Sequence, residues 1–312
     1  MPSDQYQRQS KQTITVLGGT GQQGGGGVSA LLDQGEFAVR VATRNPTSDA
    51  ARALAARGVE LVKADLLEPK SLGPALEGAY GAFLVTNFWE PQVGPREYEL
   101  ATAAVTAARA AGVEHLIWST LPNADELTHG RLKVLHFTGK ARVDTVVRAA
   151  GFARHSFVQA PFYFQSFLGM LAPHALPNGG RGWSLPMDPA ARVIHAGDVT
   201  ELGRAAAAAF SARDRLADGS YLAVCGGVYS WNDFVSTLNE LGHELQVLQV
   251  RPEDYGGFPG AEEIRDTFQY FEACTYFGPD RAKHIGTATA LVHGGFSGFA
   301  DWARVNMKPS LA

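Results

Sequence analysis

The stretch that decides the fold is TITVLGGTGQQGGGGVSALL, residues 13–32. Its first five residues are rich in β-branched side chains and predict a strand, the glycines predict a tight turn, and the spacing of apolar residues in VSALLDQG predicts a helix ending near Gly35. Gly19, Gly21 and Gly24 satisfy the pattern Gly-x-Gly-x-x-Gly. A strand, a glycine turn and a helix in this order are typical of the first unit of a dinucleotide-binding sheet.

Strand and helix signals then alternate as far as residue 160. Strands are predicted at 37–44, 59–65, 81–87, 114–120 and 153–159, and helices at 49–57, 95–112 and 131–150. Strands separated by crossover helices predict an α/β fold, specifically a Rossmann-type doubly wound parallel sheet. We therefore predict an NADP-binding Rossmann domain over residues 13–160, preceded by a disordered tail at residues 1–12.

The regular alternation ends after residue 160. Helices are predicted at 198–213, 231–241, 262–276 and 297–306, with short strands at 221–224 and 245–250. This mixture predicts that residues 161–312 form a smaller α+β lobe that is interleaved with the carboxyl edge of the sheet.

Composition excludes several classes of protein. The chain has 19% charged residues, a net charge of −4 and no basic block, which argues against direct binding to nucleic acid. Residues 156–180 carry no charge, but prolines interrupt them, so a membrane span is not predicted. The two cysteines, Cys225 and Cys274, cannot form a disulfide framework, which favours a cytoplasmic location.

Arg44 indicates which dinucleotide is bound. Backbone N–H groups of a glycine loop and the following helix N-terminus suit a pyrophosphate. NAD-binding folds place a carboxylate about 20 residues further on, whereas a basic residue suits a 2′-phosphate. Here Arg44 lies twenty positions after Gly24, and the nearest following carboxylate is Asp49. The predicted cofactor is therefore NADP(H), with Arg44 on the 2′-phosphate.

The residues that would carry catalysis leave two interpretations open. None of the tyrosines has a lysine four residues later, so the Tyr-x-x-x-Lys pair of short-chain dehydrogenases is missing. His136 and Lys140 occupy the corresponding helix, four residues apart and on one face, and Ser119 and Thr120 end the preceding strand. Lys140 or His136 could supply a proton, or Lys140 could hold the nicotinamide ribose without doing chemistry. The histidines show no metal-ligand spacing, so no metal site is predicted.

Six motifs resemble the NmrA-like family of atypical short-chain dehydrogenases, and most closely its animal redox-sensor members. The resemblance runs from about residue 13 to residue 306. The motifs are GGTGQQGG at 18–25, VRVATRNP at 39–46, VTNFWE at 85–90, HFTGK at 136–140, APFYFQ at 160–165 and RPEDYGGFPGA at 251–261.

The resemblance implies that several further residues bind NADP. Together with the glycine fingerprint, and with Asp65 at the end of the third predicted strand, the candidate cofactor-binding residues are Gly18, Gly19, Thr20, Gly21, Gln22, Gln23, Gly24, Arg44, Asp65, Thr86, Asn87, Phe88, Lys140, Phe162, Tyr163, Phe164 and Gln165. The aromatic residues among them have a second interpretation, as members of the core.

Three functions follow from these observations. In the first, the protein senses NADP(H) through loops around the cleft and regulates a protein partner, and it can form a homodimer. In the second, it is an NADPH-dependent reductase of a quinone, an enone or a similar planar substrate. In the third, it is a transcriptional co-regulator that binds another protein without needing nucleotide.

Overall fold

The computed structural model describes residues 11–307. Residues 1–10 of the predicted tail lie outside this range. The strands are β1 Thr13–Leu17, β2 Ala38–Thr43, β3 Glu60–Lys63, β4 Gly81–Leu84, β5 His115–Thr120, β6 Arg154–Gln159, β7 Phe162–Tyr163, β8 His174–Ala175, β9 Arg181–Leu185, β10 Ile194–Gly197, β11 Tyr221–Ala223, β12 Gly227–Tyr229 and β13 Gln246–Gln249. The α-helices are α1 Gln22–Gln34, α2 Asp49–Ala56, α3 Leu72–Leu76, α4 Glu97–Ala110, α5 Ala124–Leu127, α6 Leu135–Ala149, α7 Leu202–Ser211, α8 Trp231–Glu240, α9 Ala261–Cys274, α10 Arg281–Leu291 and α11 Phe299–Asn306.

The main sheet is parallel throughout and has seven strands. Its order is β11-β6-β5-β4-β1-β2-β3. This order confirms the predicted α/β class and the Rossmann-type winding. The chain leaves β1 toward β2 on one side and later returns to β4 on the other, so the direction of winding reverses at β1. Ligands of such sheets bind outside the carboxyl ends of the strands at this switch point.

Alternate side chains of the strands belong to two hydrophobic cores, one on each face of the sheet. In β4, Phe83 belongs to the core shared with α1 and α7, whereas the next residue, Leu84, belongs to the core shared with α3 and α4. Ile117 and Trp118 of β5 divide in the same way. Because successive residues of a strand face opposite sides, a sheet covered on both faces needs consecutive apolar residues, as these strands have.

Helix α1 begins at Gln22, so the four consecutive glycines lie inside the helix rather than before it. A Cβ atom on Gly26 would lie 2.3 Å from the carbonyl oxygen of Thr200, just before α7. A Cβ on Gly203 would lie 2.0 Å from the carbonyl carbon of Gly26. Gly27 faces the ring of Phe83, at 3.0 Å from its would-be Cβ. The tract therefore lets α1 approach both α7 and the sheet at backbone distance.

The second half of the chain contributes to both parts of the molecule. Strand β11 pairs with β6 and becomes the edge of the main sheet. Two three-stranded sheets, β12-β10-β7 and β13-β9-β8, are built from strands after residue 160. A domain boundary at residue 160 stays a prediction. Within residues 11–307, every helix is too short or too polar to cross a membrane.

Candidate dinucleotide site

A cavity of about 830 Å³ opens at the carboxyl ends of β1, β2 and β4, at the switch point of the sheet. Most of the residues predicted to bind the cofactor line it. They are Gly18, Thr20, Gly21, Gln22, Gln23, Gly24, Arg44, Asp65, Thr86, Asn87, Tyr163 and Gln165. These residues come from five separate stretches of chain, which the parallel sheet brings together because its strands end at one edge.

The glycine loop has the geometry that a pyrophosphate requires. Gly18 has a φ of 78°, in the left-handed region that favours glycine. A Cβ on Gly24 would lie 2.2 Å from the oxygen of Gly18, so no other residue fits there. Gly21 caps α1 and has no side chain with which to satisfy the first N–H groups of the helix. The first N–H groups of the helix are therefore left free of a side-chain cap, and the positive end of the helix dipole favours an anion there.

Arg44 follows β2 and reaches into the cavity with a half-exposed side chain. Its Nη1 donates to Oε1 of Glu90, which stands in the loop after β4. The hydrogen bond that Arg44 donates to Glu90 raises the pKa of Arg44, burial opposes this, and the negative charges of Glu90 and Asp65 raise it further. The guanidinium is thus a permanent cation at the β2 end of the cavity, with two carboxylates close to it.

Gln23 ties the glycine loop to two other elements. Ser119 Oγ, at the end of β5, donates to Gln23 Oε1 at 2.6 Å, and Gln23 Nε2 donates to the Tyr163 hydroxyl at 2.5 Å. Burial raises the pKa of Tyr163 well above its ordinary value, and its hydrogen bond from Gln23 only partly opposes this. The phenol therefore stays protonated and is fixed against the cavity wall.

Lys140 is buried beneath Thr86 rather than exposed in the cavity. Its ammonium donates to the Thr86 carbonyl at 2.9 Å, to Thr86 Oγ1 at 2.9 Å and to Glu97 Oε1 at 2.6 Å. Thr86 Oγ1 also donates to Glu97 Oε1 at 2.7 Å. These three acceptors use all three N–H donors of the lysine, so as placed Lys140 fixes Thr86 at the end of β4.

His136 is paired with a carboxylate of the second half of the chain. Its Nδ1 lies 2.7 Å from Oε1 of Glu263 in α9, and its backbone N–H donates to the same oxygen at 3.1 Å. The imidazole contacts the rings of Phe88 and Trp89, with centroids 5.7 and 5.0 Å apart. Trp89 lines the cavity, and His136 stands behind it.

The other residue at the end of β5 belongs to a separate buried cluster. Thr120 Oγ1 donates to Asp144 Oδ1 at 2.7 Å, and the Tyr221 hydroxyl donates to Asp144 Oδ2 at 2.7 Å. Burial raises the pKa of Asp144 to about 7, although both hydrogen bonds act in the opposite direction. Ser119 thus connects to the glycine loop, whereas Thr120 connects to α6.

The remaining predicted residues occupy other positions. Phe162 packs against Phe167 and neighbouring rings of the second half of the chain, and Phe164 packs on Phe299 and Trp302. Both are buried and are core aromatics, the second interpretation offered for them. Phe88 stacks edge-on against Trp89. Gly19 faces Val41, 2.6 Å from its would-be Cβ, and borders a second groove along α1. Gln165, which lines the cavity, also donates to Asp198 Oδ1 at 2.7 Å and accepts from the backbone N–H of Val199 at 3.0 Å.

Sequence reasoning missed several lining residues. The loop after β4 contributes Glu90 and Val93, and the segment after β7 contributes Ser166 and Met170. The motif VTNFWE at 85–90 was the available signal for Glu90, since the loop that follows a parallel strand lies at the ligand-binding edge of the sheet. Met170 carried no signal because the segment around it has no periodicity. Among the described residues, no group of three or more metal-ligating side chains occurs.

The fold defines this chain as a Rossmann-type protein, with a cleft at the switch point of the sheet. A family model described as the NmrA-like family matches residues 10–303, and the chain belongs to that family. An NmrA-like family domain-containing oxidoreductase of Aspergillus flavus is 35% identical over 164 residues, covering 51% of this chain and 49% of that protein. An NmrA-like family domain-containing protein of Dictyostelium discoideum is 32% identical over 200 residues, covering 61% and 64%. The chain thus matches about half the length of its fungal relatives.

Solved structures share the fold over almost the whole chain. NmrA, a negative transcriptional regulator, in complex with NADP superimposes with a TM-score of 0.78 and 24% identity, covering 95% of each chain. The same regulator has been solved with NAD, with the same score. An NADPH-dependent quinone oxidoreductase of Escherichia coli superimposes with a TM-score of 0.72 and 19% identity, covering 93% of this chain and 98% of that one. Regulators and enzymes therefore share this architecture.

Proposed function

We propose that this protein binds NADP(H) and acts as a redox sensor that regulates a protein partner. The observation that carries the proposal is the position of Arg44, a permanent cation in the cavity that also contains the glycine loop. The loop and the α1 N-terminus would hold the pyrophosphate, and Arg44 would hold the 2′-phosphate. The resemblance of the motifs to the animal redox sensors supports the same function.

The arrangement around the cavity supports sensing over catalysis. The ammonium of Lys140 donates to Thr86 and Glu97, and the protonated phenol of Tyr163 accepts from Gln23. A general acid must reach the substrate and give up its proton readily, but Lys140 does not line the cavity, and burial raises the pKa of the Tyr163 phenol and so makes it a weaker acid. When bound, NADPH would supply a hydride, and this chain's residues would bind and orient it.

A reductase is the second candidate, and one feature favours it. The side chain of Trp89 is 48% exposed although it lines the cavity, and Met170 lines the same cavity with 63% exposure. A planar quinone or enone could stack on such a surface. The relatives named as oxidoreductases favour this candidate as well.

Arg44 provides the test of nucleotide binding. Replacing Arg44 with alanine should weaken NADPH binding by roughly 10- to 100-fold, because a charge-assisted contact with the 2′-phosphate is lost, and should change NADH binding little. Titration calorimetry on the purified full chain measures both affinities. Arg52→Ala is the matched control, since Arg52 is an exposed arginine of α2 that does not line the cavity. An equal loss for both nucleotides would show that Arg44 does not bind the phosphate.

Turnover separates the two candidate functions. If the protein is a sensor, it should oxidise no more than one NADPH per protein molecule when it is offered a panel of quinones and enones. The absorbance of the reduced nucleotide measures this consumption. Sustained consumption that slows in Arg44→Ala at low NADPH concentration would overturn the sensor and establish a reductase. The dependence on Arg44 is the control against a contaminating enzyme, which this substitution cannot affect.

A further inference from the structure

The pair formed by Arg44 and Glu90 joins two walls of the cavity. Arg44 follows β2, and Glu90 stands in the loop after β4, on the far side of β1. Both residues line the cavity, and their side chains are 56% and 29% exposed. The residue predicted to receive the 2′-phosphate thus already has an anionic partner in the protein.

The loop after β4 presents Glu90 in a fixed turn. The N–H groups of Val93 and Gly94 donate to the Glu90 carbonyl at 2.8 and 2.9 Å, and the Glu90 N–H donates to the Asn87 carbonyl at 3.2 Å. A Cβ on Gly94 would lie 2.4 Å from the oxygen of Phe88, so the turn is as tight as glycine permits. The backbone that carries the Glu90 carboxylate is therefore ordered, so less conformational entropy is lost when Glu90 forms its ion pair with Arg44.

A carboxylate and a 2′-phosphate make opposing demands on this guanidinium. Both are oxyanions that accept from the same N–H fork. A phosphate brought beside Glu90 and Asp65 would also be repelled at short range by the negative charges of these two carboxylates. The 2′-hydroxyl of NAD(H) is uncharged, is not repelled, and can donate to a carboxylate.

We infer that Glu90 is a specificity-determining residue, which competes with the 2′-phosphate for Arg44 and thereby narrows the preference for NADP(H) over NAD(H). The inference rests on the proposed binding of a pyridine nucleotide in this cavity. Arg44 favours the phosphorylated cofactor and Glu90 opposes it. The ratio of the two affinities is then set by the balance within one ion pair.

Removal of the carboxylate charge tests this directly. In Glu90→Gln, NADP⁺ should bind about tenfold more tightly than in the wild type, while NAD⁺ binding is unchanged or slightly weaker. Calorimetry on the full chain with each nucleotide gives the two ratios. Glu99→Gln is the matched control: it removes one negative charge at an exposed site paired with Arg96, outside the cavity, and should leave both affinities within about twofold.

Two further measurements keep the outcome unambiguous. Glu90→Ala should raise the NADP⁺ affinity in the same direction, and in the Arg44→Ala background the gain from Glu90→Gln should shrink, because the contested guanidinium is gone. Equal changes for NADP⁺ and NAD⁺, or no gain for NADP⁺ in folded variants, would overturn the role of Glu90. Failure of the wild type to bind either nucleotide would instead overturn the proposed function.

Discussion

Replacing Lys140 with methionine is expected to lower the free energy of unfolding by about 3–5 kcal/mol. The substitution removes the cation that neutralises Glu97, a carboxylate whose side chain is only 2% exposed. Oε1 of Glu97 keeps only the hydroxyl of Thr86, and Oε2 already has no hydrogen-bond partner within residues 11–307. An uncompensated buried charge costs far more than the net gain of the intact pair. Urea titration followed by circular dichroism measures the difference.

The double variant Lys140→Met with Glu97→Gln is the control for this prediction. It removes both charges and leaves a neutral amide that can still accept from Thr86, so it should recover a large part of the stability lost in the single variant. If Lys140→Met lowers the free energy of unfolding by less than about 1 kcal/mol, the pair of Lys140 and Glu97 behaves like an exposed salt bridge, which would contradict its burial. Stability must be checked before any loss of activity in a Lys140 variant is read as catalytic.

Alanine at Gly26 is expected to destabilise the protein by about 3 kcal/mol or more, because the new methyl group would meet backbone and not a movable side chain. Its Cβ would lie 2.3 Å from the Thr200 oxygen, which can only retreat if α7 moves away from α1. Separating these helices would also open the core that Val28 and Leu31 of α1 share with α7. The midpoint and slope of urea unfolding give the loss.

Gly25 offers a control one position away in the same helix. A Cβ there would have only the Gly19 oxygen in reach, at 3.5 Å, an ordinary contact. Gly25→Ala should therefore be neutral or stabilise the protein by up to about 1 kcal/mol, since alanine is the better helix former. If alanine at Gly25 and alanine at Gly26 destabilise the protein equally, the glycine tract is not explained by the close approach of α1 and α7.

The glycine loop and the strands of the first half could be predicted because their signals are local. The strand at residues 13–17 and the helix that follows the glycine turn each depend on near neighbours in sequence, whereas Thr86 and Asn87 after β4 were indicated only by the resemblance to the family. Helix α10 was missed because only Ala288 among its residues is buried, which leaves no apolar periodicity to detect. The strands β7 to β10 are only two to five residues long and lie in a segment that glycines and prolines interrupt, and their pairing is set by distant partners.

The roles of individual site residues were less predictable than their positions. The i,i+4 spacing placed His136 and Lys140 on one helix face, but their partners, Glu263 and Glu97, lie 127 and 43 residues away. The same holds for Glu90, which is separated from Arg44 by 46 residues. Charge pairs of this kind are decided by which loops meet at the edge of the sheet.

By itself the sequence determined the winding of the sheet and the edge at which a nucleotide would lie, since hydrophobic alternation and glycine turns act within a few residues of chain. Only the tertiary structure decided how those residues are used. It explained Gly26 and Gly27 by the approach of α7 and β4, placed Lys140 beneath Thr86, and set Glu90 against Arg44. Burial and ion pairing depend on elements far apart along the chain, and these meet only after the core has formed.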